Sequence, residues 1–182
     1  MTFFQNQPTV NELYAWYQTT NTCLFEKRDR VATALTVSGS MLNDPDFIGM
    51  TLSEIRQKFA RLESELELAY ILKIVASAEA RFKQDFIERA KKGKRGRVAT
   101  LADIFKKLLS EKAGFVKLEE DIVEAWRHHH STANPQVLSQ FKGLLKQRHW
   151  IAHGRYWPYQ GQRYSIDDSF IIVRDTLAEC KL

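Results

Sequence analysis

The sequence predicts an all-α fold, a bundle of about five helices arranged as one domain around a long central helix. Three observations carry this. Apolar residues recur at three- and four-residue steps through most of the 182-residue chain. One stretch, from Thr51 to about Lys92, keeps that spacing with no internal proline or glycine. Strand signals are weak everywhere, whereas helix starts and stops are written clearly.

Residues 9–38 carry helical spacing through Leu13, Trp16, Tyr17, Leu24 and Val31, with a short break near Asn21. Ser-Gly-Ser and Asn-Asp-Pro-Asp then mark a turn-rich connection over 38–46, in which Asp44 and Asp46 read as cap or turn acids. The stripe from Thr51 runs through Ile55, Phe59, Leu62, Leu66, Ala69, Ile71, Leu72, Val75, Ala76, Phe82, Phe86 and Ile87. A helix of about 40 residues spans about 60 Å. It is either the spine of a bundle or broken once.

The basic run Lys91-Lys-Gly-Lys-Arg-Gly-Arg97 ends it. Thr100, with Asp103 three residues on, caps a helix whose stripe is Leu101, Ile104, Phe105 and Leu108. Another covers roughly Leu118–His129. Asn134 followed by Pro135 is the clearest start signal in the chain, and Gly154 supplies the stop. An aromatic loop, Arg155–Tyr164, precedes a last amphipathic helix with Phe170, Val173 and Leu177 on one face.

Apolar residues make up 44% of the chain and charged residues 27%, a globular balance. The net charge of +5 suits an anionic partner, nucleic acid or a membrane surface. Cys23 and Cys180 form no C-x-x-C pair, which excludes a zinc ribbon and makes a disulfide framework unexpected. The N-terminus lacks the basic start and apolar run of a signal peptide, and the longest apolar stretch is interrupted by Lys73. A soluble, cytoplasmic protein without a membrane span is expected.

All five histidines fall between His128 and His153. Consecutive histidines at 128–130 point in three directions on a helix, so they read as a polar helix end rather than a metal site. The segment Gln147-Arg-His-Trp-Ile-Ala-His-Gly-Arg-Tyr-Trp157 carries more chemistry. RNA can be cut by its own 2′-hydroxyl attacking the adjacent phosphate. That reaction needs a proton acceptor, a proton donor and positive charge on the phosphorane. Histidine can serve as acid or base, and arginine presents a planar fork to phosphate oxygens.

Arg148-x-x-x-x-His153 at a helix end resembles the R-x(4–6)-H signature of HEPN-superfamily ribonucleases of prokaryotic defence and toxin systems. His149 stands where that family more often has asparagine. The resemblance covers about Thr51 to Tyr156. It implies a metal-independent endoribonuclease, a toxin or defence effector without cofactor, in which Arg148 binds the scissile phosphate, His153 transfers protons and His149 assists. It also implies a homodimer. Five helical steps put Arg148 and His153 about 140° apart, whereas His149 and His153 share a face. A two-fold dimer would bring two such helix ends to one cleft.

Around this centre, Lys91, Lys92, Lys94, Arg95 and Arg97 either track a phosphate backbone or form a solvated connection. Arg155, Tyr156 and Trp157 are further RNA contacts, the aromatic pair by stacking on unpaired bases, while Trp150 reads as core or dimer interface. Glu79, an acid inside an apolar stretch, needs a partner, and Arg148 is one. Two other readings stand beside this one: a non-catalytic nucleic-acid or nucleotide binding module, and a helical interaction protein from a toxin–antitoxin pair with an antitoxin as partner.

Overall fold

The computed structural model describes residues 7–37, 44–92, 100–112, 115–129 and 134–182. Among them the fold is all-helical, with six α-helices and no strand. They are α1 (Val10–Val37), α2 (Leu52–Lys92), α3 (Leu101–Lys112), α4 (Glu124–His129), α5 (Pro135–Ala152) and α6 (Ile166–Cys180). The long helix is unbroken. Two compact units divide the described residues, Asn11–Tyr70 and Ile71–Leu182, the second also taking in residues 7–10.

In the unit Asn11–Tyr70, α1 passes through Asn21 without the expected break. The polar run there is accommodated because Thr19, Thr20 and Thr22 each donate to the carbonyl four residues back, at 3.0, 2.7 and 2.9 Å. Such bonds satisfy the hydroxyls within the helix instead of competing with it. Asp44 caps a short 3-10 turn, Pro45–Phe47, and Thr51 and Glu54 form the reciprocal cap that starts α2. Val31, Phe47, Ile55 and Phe59 are the buried cluster, with the Phe47 and Phe59 rings 5.6 Å apart and nearly parallel. Leu62, Ala69, Ala76 and Ile87 of the expected α2 stripe are exposed, whereas Tyr70, Ile74, Ala78 and Ala90 are buried. Over eleven turns, neighbours that change along the helix decide which face is inward, and no single stripe can follow them.

In the unit Ile71–Leu182, Phe82 stacks on Phe141 of α5 at 5.3 Å and meets Trp126 of α4 edge-on. Phe86 meets Phe105 of α3 at 5.0 Å. The reciprocal cap at Thr100 and Asp103 is formed. The helix expected over Leu118–His129 opens as a π-helical segment, Leu118–Val123, before continuing as α4. Buried Asp121 fixes that start by accepting from Lys112 Nζ at 2.5 Å and from the Lys117 backbone N–H at 2.8 Å. α6 begins with a capping box between Ser165 and Asp168. It buries Ile166, Ser169, Val173, Thr176 and Cys180 and leaves Phe170 and Leu177 at the margin.

Candidate functional site

Helix α5 carries the segment singled out in the sequence, and its register explains what that segment presents. Asn134 accepts from the Gln136 backbone N–H at 2.9 Å, and Pro135 opens the first turn. Leu138, Phe141, Leu144, Leu145 and Ile151 face the core. Arg148 then sits at the edge of that face and His149 just outside it.

The helix ends in a Schellman arrangement. Gly154 has φ +78°, its N–H donates to the Ile151 carbonyl, and the Arg155 N–H donates to the Trp150 carbonyl. Arg155 also lies in the left-handed region, at φ 59°. Two successive residues of this kind turn the chain back along α5.

The returning loop is tied down at three points. Trp150 Nε1 donates to the Trp157 carbonyl at 2.7 Å, and the Trp150 ring lies 5.2 Å from that of Tyr159 and 5.3 Å from the Arg163 guanidinium. Gln147, 3% exposed, both donates to the Tyr164 carbonyl (2.9 Å) and accepts from its N–H (2.6 Å). Gly143 lets the Tyr164 ring lie on α5, since a Cβ there would stand 2.6 Å from its hydroxyl oxygen. Burial raises the phenol pKa of both Tyr159 and Tyr164, so both hydroxyls remain protonated.

Between α2, the π segment, α5 and this loop lies a cleft of 770 Å³. Glu79, Glu119, Arg148, His149 and Trp157 are among the residues that line it. Arg148 Nε stands 3.1 Å from Glu79 Oε1, the pairing anticipated from the sequence. The angle is too oblique for a hydrogen bond, so the contact is an ion pair that leaves the Nε proton unengaged by Glu79. His153 does not line the cleft. Its ring packs against that of His149, with centroids 4.2 Å apart, as their four-residue spacing requires.

No protein-family model, curated protein or solved structure matches the chain.

The other sequence-derived positions lie around the cleft or apart from it. Arg155 and Tyr156 are exposed on the loop and do not line the cleft, while Trp157 does. Trp150 is half-buried beneath its own following loop and lines the cleft, so it lies outside the buried core. Lys91 is exposed at the end of α2; the Lys92 side chain and Lys94, Arg95 and Arg97 lie outside the described residues. His128 pairs with Glu124 at 3.2 Å at the end of α4. Among the described residues no three His, Cys, Asp or Glu side chains gather as a metal-binding group, and no helix is long and apolar enough to cross a membrane.

Sequence reasoning missed Gln147 and Glu119. Gln147 was detectable, because it stands three residues after Leu144 and four before Ile151, in a register otherwise apolar. A glutamine there must bond inward. Glu119 carried no such signal, since it is one of three consecutive acids.

Proposed function

We propose that this protein is a metal-independent RNA endonuclease of HEPN type, acting through 2′-hydroxyl attack to leave a cyclic phosphate. The observation that supports it best is the cleft in which Arg148, steadied by Glu79, stands beside His149 while His153 packs against the same imidazole. Arg148 binds the scissile phosphate and stabilises the charge that builds on the phosphorane. The histidine pair handles the protons: His153 transfers them, and His149, which reaches the cleft, orients the reacting groups and assists. Trp157 and Tyr156 offer aromatic faces to unpaired bases. The enzyme acts as a homodimer in the cytoplasm as a toxin or defence effector.

The test is incubation of the purified protein with total RNA in EDTA, beside Arg148→Ala and His153→Ala. Cutting should persist in chelator, produce 2′,3′-cyclic ends, spare DNA of the same sequence and be abolished by either substitution. Activity that vanished in EDTA and returned with magnesium would overturn the mechanism.

A further inference from the structure

The cleft holds one acidic side chain that this reaction does not use. Three acids stand in a row at the start of the π segment, and the fold engages two of them: Glu120 pairs with Lys117 at 2.7 Å and Asp121 with Lys112 at 2.5 Å. Glu119 is half-buried, lines the cleft, and meets no hydrogen-bond or ion-pair partner among the described residues. With no described residue donating to it, the carboxylate is left open to the cleft as an acceptor for a ligand that bears donors. The widened turn of a π segment is a frequent feature of functional sites.

The other walls narrow the kind of ligand. Trp157 presents a half-exposed indole to the cleft, and the hydrogen bond from Trp150 to its carbonyl anchors the backbone that carries the ring. Arg148 and His149 offer cationic and polar groups within the same volume. A cleft of 770 Å³ is the size of an ordinary small-ligand pocket. An aromatic face, phosphate-binding groups and a carboxylate without a described partner together describe a nucleotide site.

Resting on the RNA-cleaving reading, we infer that Glu119 makes this cleft a guanine subsite, its carboxylate accepting from the Watson–Crick edge of a base stacked on Trp157. The discrimination follows from donor patterns. A carboxylate is two adjacent acceptors, and guanine presents two adjacent donors, N1–H and the 2-amino group. Adenine and cytosine place a ring-nitrogen acceptor beside their amino group, and uracil flanks its N–H with carbonyls. Each of those three sets at least one lone pair against the carboxylate.

Two assays on the intact protein separate this subsite from the chemistry. In the first, 5′-GMP, 5′-AMP, 5′-CMP and 5′-UMP are titrated while tryptophan fluorescence and heat are followed. GMP should bind tightest, by roughly 10- to 100-fold, the worth of one good bidentate base contact. Glu119→Gln should abolish that preference and favour AMP or CMP, because an amide presents one acceptor and one donor. Its melting temperature should be retained, while its cutting beside guanosine should fall about 10- to 100-fold relative to cutting beside the other bases. In the second, single-stranded RNAs that differ at one base are cut and their ends mapped, with cleavage expected beside guanosine. Selective GMP binding with no RNA cut would uphold the subsite while ending the endonuclease reading. Cutting without base preference, or a guanine preference unchanged in Glu119→Gln, would overturn the subsite and leave the endonuclease reading standing.

Discussion

Replacing Gln147 by leucine should destabilise the protein and loosen the loop that walls the cleft. Gln147 is buried, and its amide makes both available hydrogen bonds to the Tyr164 backbone, at 2.9 and 2.6 Å. Leucine has nearly the same volume but neither donor nor acceptor, so the Tyr164 N–H and C=O would be left buried and unpaired. Each such group costs about 1–3 kcal/mol. Burial of leucine in place of an amide returns about 1–2 kcal/mol. Taken at the middle of these ranges, about 4 kcal/mol for the two groups less about 1.5 kcal/mol, the net loss of about 2–3 kcal/mol lowers the melting temperature of a chain this size by about 4–12 °C. The assay is thermal unfolding followed by circular dichroism, with tryptophan fluorescence as a local reporter. The Trp150 ring touches the loop at the Trp157 carbonyl, Tyr159 and Arg163, so its emission should shift before global unfolding. A melting temperature within about 1 °C of wild type would refute the reasoning, since it would mean that the two bonds contribute nothing net.

Three further outcomes are expected. Glu79→Gln removes the charge that steadies Arg148 3.1 Å away, and should lower the single-turnover rate on RNA on the order of 10- to 100-fold through misplacement. The pair is partly exposed, so the melting temperature should hardly move, and a loss confined to KM would contradict a positioning role. Glu124 has its carboxyl held below the usual 4.5, first by the Lys142 hydrogen bond and also by Arg127. Its contribution to stability is present above 4.5 and is lost as pH falls through the depressed value, so Glu124→Gln should flatten the acid limb of a melting-temperature profile. An acid limb as steep as that of wild type would exclude the contribution. Mixed dimers carrying one His153→Ala chain should lose more cutting than dilution predicts if each cleft draws on both subunits. A strictly proportional loss would assign the whole site to one chain.

Much of the fold was legible because it is written locally. Asn134-Pro135, Thr100 with Asp103 and Gly154 each name a helix end through bonds to residues at most five positions away, and all three are formed. The run from Thr51 to Lys92 contains nothing that breaks a helix, and α2 occupies it. The break expected near Asn21 is absent, and the hydroxyls of the polar run there bond back within the helix. Six helices stand where about five were expected.

By itself, the sequence determined the all-α class and the face shared by His149 and His153, because helical periodicity fixes which side chains neighbour one another. It also marked Glu79 as an acid in need of a partner. The tertiary structure decided the rest. The return of the loop over Trp150, the bonding of Gln147 to Tyr164 and the turn of Glu119 toward the cleft join residues far apart in the chain or orient one of three like neighbours. Exposure along α2 was settled the same way, with Leu62 outward and Ile74 inward. Periodicity records that a helix has an apolar side, whereas burial is set by whatever packs against each turn, which no local pattern encodes.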